Sequence, residues 1–161
     1  MRVQDIMTRD VSYCYPGTNA AAASEIMWTR NCGVLPIVEG GRVVGMITDR
    51  DLFIALGTSN RRAADLSVGE IMDKDLSSCE PTDDVRAVLK TMAQRQVHRL
   101  PVVDKDGLLK GILSMDDIVL RAETGGLTNE DVIKVMKAIC NRQNQRKESQ
   151  RQASEPRRAV A

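Results

Sequence analysis

The sequence predicts an α+β protein of two tandem β-α-β-β-α repeats related by a pseudo-twofold axis, followed by a C-terminal helix and a polar tail. Two observations carry this prediction. Val3, Ile6, Met7, Asp10, Cys14, Pro16, Met27, Arg30, Leu35 and Pro36 reappear 65 positions later as Val68, Ile71, Met72, Asp75, Cys79, Pro81, Met92, Arg95, Leu100 and Pro101. Gly45, Thr48 and Asp51 then pair with Gly111, Ser114 and Asp117 at an offset of 66, because "EGGR" is answered by the longer "DKDGL". A one-residue insertion in a turn is tolerated. The second observation is size: a unit of about 60 residues buries only about 60% of its unfolded surface, so the two copies are expected to share an interface.

Each element has its own local reason. After an opening "DIM" or "EIM" turn, "DVSYCYP" or "DLSSCEP" reads as a short extended run. Thr18 and Thr82, each following proline or glycine, are the expected caps of the first helix in each copy. That helix is expected over 19–31, with Ala22, Ile26 and Thr29 on one side, and over 83–96, with Val85, Val88, Leu89 and Met92 at helical spacing. "LPIVE" and "RVVGMIT" flank Gly40-Gly41, and "LPVVD" and "LLKGILS" flank Lys105-Asp106-Gly107, which predicts a β-hairpin in each copy. "DRDLFIALG" and "MDDIVLRAE" supply the closing helices. The expected divisions are 1–60 and 61–122 for the repeats, 123–142 for an added helix and 143–161 for a basic tail expected to be disordered.

Composition narrows the function classes. Of 161 residues, 23 are basic and 22 acidic, a net charge of +1 that gives no overall field toward nucleic acid or an anionic membrane. The opening residues offer no signal-peptide core, and no apolar run reaches the roughly 18 residues of a membrane span, so a soluble cytoplasmic protein is expected. Cys14, Cys32, Cys79 and Cys140 form no C-x-x-C pair and have only His98 as an imidazole companion. They read as buried free thiols and argue against a metal site. A single histidine, with no nucleophile elbow or phosphate-binding glycine loop, argues against an enzyme.

The ordered set of D-I-M near the start, L-P-hydrophobic pair at the first hairpin strand and G-h-h-[ST]-x-x-D at the exit of the second resembles a CBS domain. Its occurrence twice over about residues 1–122 resembles a tandem CBS pair, or Bateman module. The resemblance implies a regulatory module that binds adenosine-containing ligands (AMP, ADP, ATP, NAD or S-adenosylmethionine) between the repeats, needs no catalytic cofactor, forms a homodimer and acts on a target protein that the sequence does not identify.

The residues make physical sense of that implication. Gly45 and Gly111 lie inside strands, where glycine marks close approach of a ligand or another backbone. Thr48 and Ser114 end those strands, and Asp51 and Asp117 follow in the first helical turn, placed to accept hydrogen bonds from ribose hydroxyls. The same four residues serve equally well as helix caps and first-turn acids. His98 and Arg99 form a polar arm that, by the resemblance, would reach a ligand phosphate. Alternatively, Arg99 pairs with Asp116 or Asp117 and His98 is partly buried. The first copy has Gly33-Val34 there, and Asp116 stands where some nucleotide-binding relatives have lysine, so the clefts are expected to be unequal, with at most one equipped for phosphate. Val11, Val34, Pro36, Ile37 and Pro101 are candidates for an apolar base slot, with core packing the alternative.

Beyond Glu123, Gly125-Gly126 is an expected stop, followed by a helix capped by Thr128 with Asp131 three residues on and a stripe of Val132, Val135, Met136 and Ile139. A competing function class is a dimerisation scaffold with vestigial clefts. Nucleic-acid binding through the tail is disfavoured, since one Phe, one Trp and two Tyr leave no stacking platform.

Overall fold

The structure is a computed structural model that describes residues 1–122 and 126–154, with side chains to 141. Each repeat carries a helix, an antiparallel hairpin and a closing helix. In the first repeat these are α1 (Ala20–Thr29), β1 (Val34–Glu39), β2 (Arg42–Thr48) and α2 (Asp49–Ser59). A short α3 (Val68–Ile71) opens the second repeat, which continues with α4 (Val85–Arg95), β3 (Arg99–Val103), β4 (Leu109–Ser114) and α5 (Met115–Arg121). α6 spans Asn129–Ser154.

The hairpins form where expected. β1 pairs β2 from Val34↔Thr48 to Glu39↔Arg42, closed by Gly40 and Gly41, both at positive φ as a two-residue primed turn requires. β3 pairs β4 from Arg99↔Ser114 to Val103↔Leu109. The expected first strand of each repeat is reduced to a single parallel bridge, Cys14↔Ile37 in one and Cys79↔Val102 in the other. Each bridge rests on matched hydrogen bonds: Cys14 N–H to Pro36 C=O (3.1 Å) and Val38 N–H to Cys14 C=O (2.8 Å), Cys79 N–H to Pro101 C=O (3.1 Å) and Val103 N–H to Cys79 C=O (2.9 Å).

The helix caps differ from the expected ones. Asn19 and Asp84 cap α1 and α4, accepting from Ala22 N–H and Arg86 N–H, whereas the Thr18 hydroxyl accepts from Tyr15 N–H and closes the preceding turn. The buried face of α4 is the expected Val85, Val88, Leu89 and Met92. In α1 it is Ala20, Ala23 and Met27 rather than Ala22, Ile26 and Thr29. A run of four alanines offers too little contrast in side-chain size to mark the inner face.

The opening segments are exchanged between repeats. Val3 lies in one core with Val85, Met92, Leu100 and Ile118, while Leu66 and Val68 lie in the other with Ala20, Leu35 and Ile47. The anchoring bonds match: Val3 N–H donates to Asp83 C=O (3.0 Å) and Val68 N–H to Thr18 C=O (2.8 Å). Thr8 and Ile112 exchange a pair of backbone bonds, as do Asp73 and Met46. The sequence therefore divides near residue 60, but the two cores do not, and neither repeat has a complete core of its own.

Leu127, just before α6, and Val132, Val135 and Ile139 of α6 join the second core, and α6 packs on α4, where the Gln96 side-chain amide donates to Ala138 C=O. Thr128 and Asp131 cap it reciprocally, as expected. The helix continues through 143–154, a stretch expected to be disordered. Its Gln, Arg, Lys and Glu residues are too polar for a core but are good helix formers. Residues 155–161, and Glu123 to Gly125 of the expected stop, lie outside the described residues. Cys14 and Cys79 are buried free thiols, pushed by desolvation up to about 11 and about 12, but Cys140 is exposed and Cys32 half-buried. No helix among the described residues is long and apolar enough to cross a membrane.

Candidate functional site

Because β2 and β4 end beside the opening segment borrowed from the other repeat, the start of each closing helix faces a cleft between the copies. The first cleft, about 300 Å³, is lined by Thr48 and Asp51 of one repeat and by Asp73, Asp75, Ser77, Arg95, Val97, His98, Arg99 and Pro101 of the other, with Val34 and Met46. The second, about 430 Å³, is lined by Ser114, Asp117 and Arg99 together with Thr8, Asp10, Val11, Ser12, Arg30, Cys32, Gly33 and Val34. Both fall at or near the lower end of the size range of small-molecule sites.

At the floor of each cleft the hydroxyl and carboxylate form the same cap. The Thr48 hydroxyl donates to Asp51 Oδ2 at 2.6 Å, Thr48 N–H donates to the same oxygen at 3.0 Å, and Asp51 N–H donates back to Thr48 Oγ1 at 3.1 Å. Ser114 and Asp117 repeat this at 2.5, 2.8 and 3.1 Å. The capping alternative is thus realised in both repeats, and it leaves one carboxylate oxygen over. Asp51 Oδ1 has no hydrogen bond among the described residues, while Asp117 Oδ1 accepts from the Thr8 hydroxyl at 3.4 Å. In the first cleft the position of Thr8 is taken by Asp73, so that cleft has a second carboxylate where the other has a hydroxyl.

A second matched group lies at each mouth. Arg95 Nε donates to Ser77 Oγ at 2.6 Å and its guanidinium pairs with Asp75 at 3.0 Å. Arg30 Nε donates to Ser12 Oγ at 2.9 Å, with Asp10 at 3.9 Å. The sequence reading missed these site residues although their signal was present: Asp10, Arg30, Asp75 and Arg95 all belong to the repeated skeleton.

Thr48, Asp51, His98, Arg99, Val34 and Pro101 come together in the first cleft, and Ser114, Asp117, Val11, Val34 and Arg99 in the second. Gly45, Gly111 and Pro36 line neither. A Cβ on Gly45 would lie 2.5 Å from Met72 Sδ and 3.2 Å from Asp73 C=O, and one on Gly111 2.7 Å from Thr8 C=O, so both glycines make room for the exchanged segment. Pro36 and Ile37 are buried in β1. Arg99 makes no hydrogen bond or ion pair with Asp116, Asp117 or any other described residue, and His98 is exposed. Arg99 lines both clefts, although it belongs to the second repeat alone.

Comparison with known proteins agrees with this geometry. The CBS domain profile matches residues 3–58 and 68–123. The CBS domain-containing protein YhcV of Bacillus subtilis is 35% identical over 118 residues, covering 73% of this chain and 83% of that protein. The inosine-5'-monophosphate dehydrogenase of Thermoplasma acidophilum is 31% identical over 121 residues, but these are 23% of that enzyme. Among solved structures, the CBS domain pair of protein MJ0100 in complex with 5'-methylthioadenosine and S-adenosyl-L-methionine superposes with a TM-score of 0.69 at 26% identity, covering 77% of this chain and 97% of the other.

Proposed function

The chain belongs to the CBS domain family as a tandem pair, and from that premise we propose that it is a regulatory module that senses an adenosine-containing ligand in the clefts between its repeats and modulates a partner protein. The observation that carries this reading is the half-used carboxylate of Asp51: one oxygen is locked by the helix cap, which orients the group, and the other is left to accept from a ligand hydroxyl. A hydrogen bond to a charged acceptor contributes about 1.5–3 kcal/mol. The adenosyl ligands of the MJ0100 pair, which shares the fold, support the ligand class. A mononucleotide of about 23 heavy atoms at about 0.3 kcal/mol per atom would bind near 10 μM, a scale suited to sensing.

A non-enzymatic role is supported by the match to the dehydrogenase, which covers only 23% of that protein. Homodimerisation is supported by two matched apolar pairs on the closing helices. Phe53 and Ile54 of α2 and their counterparts Val119 and Leu120 of α5 are all exposed, the kind of surface that marks an interface.

Thermal unfolding against AMP, ATP, NAD and S-adenosylmethionine, with guanosine and cytidine nucleotides as controls, tests the reading. A ligand at 100 times its Kd stabilises by about 2.7 kcal/mol, a shift of several degrees, and this shift should be lost in Asp51→Ala or Asp117→Ala according to the occupied cleft. No shift with any adenosyl ligand would favour a dimerisation scaffold in which Thr48–Asp51 and Ser114–Asp117 are helix caps alone.

A further inference from the structure

The two clefts are separate cavities, yet Val34 and Arg99 line both. These two residues are counterparts at the 65-residue offset, each at the start of its first hairpin strand. The axis relating the repeats therefore passes between an apolar side chain and a cationic one. A fully symmetric pair would give each cleft the same charge at this point, but here one guanidinium stands for two.

The other arginines of the clefts are engaged. Arg95 is held by Ser77 and Asp75 at one mouth and Arg30 by Ser12 and Asp10 at the other. Arg99 is exposed and has no such partner among the described residues. The carboxylates are distributed over both sides, Asp51, Asp73 and Asp75 in the first cleft and Asp10 and Asp117 in the second. A phosphate entering either cleft meets these acids and needs a free cation beside it.

We propose that Arg99 is a shared anchor that makes the two clefts antagonistic toward anionic ligands: a phosphate held in one cleft draws the guanidinium away from the other, so phosphate-bearing ligands fill the clefts one at a time. The inference rests on the adenosyl-binding reading and specifies its regulation. Linkage makes the antagonism reciprocal, so it does not matter which cleft fills first. A ligand without a phosphate makes no claim on Arg99 and escapes the antagonism. The module would then report the charge of its ligand as well as its presence.

Equilibrium titration of the full chain with AMP and, separately, with adenosine tests this. AMP is expected to bind in two steps, the second about 10- to 100-fold weaker, the span expected for loss of one charged hydrogen bond. Adenosine is expected to fill both clefts without that separation. Arg99→Gln should weaken the first AMP step and bring the two together, and Val34→Arg, which supplies a second cation, should strengthen the second step. Two equal AMP sites in the native protein would overturn the proposal, as would a separation that survives in Arg99→Gln. Failure of both AMP and adenosine to bind would overturn the inference, whereas the adenosyl reading itself falls only if ATP, NAD and S-adenosylmethionine also fail to bind.

Discussion

The two repeats share a skeleton and differ in what covers them. In the second, α6 lies across α4 and buries Val135 and Ile139 against it. In the first, nothing among the described residues covers the corresponding face of α1: Trp28, the counterpart of Ala93 on α4, is 87% exposed. The second repeat accordingly has the larger core, extended by Leu127, Val132, Val135 and Ile139, which have no equivalents in the first. The repeated skeleton accounts for the hairpins, caps and clefts of both copies, while the added burial on one side comes from a segment outside the repeat. Both sides keep a cleft, and one side has the larger core.

The largest expected effect breaks this asymmetry directly. Ile139 is 2% exposed, and Ile139→Ala should destabilise the protein by about 2–5 kcal/mol through lost burial and the cavity left behind. Trp28→Ala, at the uncovered counterpart face, should stay within about 0.5 kcal/mol in spite of the larger side chain removed. Urea unfolding of the two variants beside the native chain measures both. Equal losses would mean that the α1 face is also covered in solution, as a dimer contact over Trp28 would produce.

A smaller contrast concerns the glycines that admit the exchanged segments. At Gly111 a methyl group would meet the Thr8 carbonyl at 2.7 Å, and backbone cannot yield cheaply. At Gly45 the closest atom is the flexible Met72 thioether, with the Asp73 carbonyl at 3.2 Å. Gly111→Ala should therefore cost about 1–3 kcal/mol, as overpacking does, and Gly45→Ala less. The reverse order in denaturant titration would show that the Thr8 segment detaches more readily than the Asp73 segment.

Much of this arrangement was legible in the sequence because hydrophobic period and turn chemistry are local. The hairpins at Gly40-Gly41 and Gly107, the buried stripe of α4 and the hydroxyl–carboxylate pairs all follow from residues within a few positions of one another. The exchange of Val3 and Val68 between cores was not legible. An internal repeat marks two equivalent segments but carries no information on which copy each one packs against. The same gap left open whether Gly45 and Gly111 admit a ligand or another chain segment, and the exchanged segment lies against both. Asp10, Arg30, Asp75 and Arg95 were visible as repeated residues, but their role at the cleft mouths depends on which opening segment faces which closing helix. The distal half of α6 was missed for a different reason, because polarity excludes a core without excluding a helix.

The smallest contrast lies in the exchanged segments themselves and is readable by pH. Asp5 and Glu70 are counterparts, each accepting from a backbone N–H three residues earlier, from Arg2 at 2.8 Å and from Ser67 at 3.0 Å. Only Glu70 gains more: Arg61 donates to its Oε1 at 2.8 Å, and the Ser67 hydroxyl to its Oε2 at 2.8 Å. The Arg61 hydrogen bond first, then those from Ser67, hold the Glu70 carboxyl down to about 2 from an ordinary 4.5. With the folded value below the unfolded one, the unfolded chain binds the proton first, so this contribution is fully present above about pH 4.5 and is lost as pH falls toward 2. Thermal unfolding between pH 5 and pH 2.5 should therefore show a loss of stability that Glu70→Gln reduces. Because the pair is solvent-exposed, the difference between native and variant should shrink in 0.5 M salt, where screening acts within about a bond network's reach. An unchanged acid slope in Glu70→Gln would mean that the Arg61–Glu70 pair does not persist in solution, and that the segment carrying Val68 is held by burial and its backbone bonds alone.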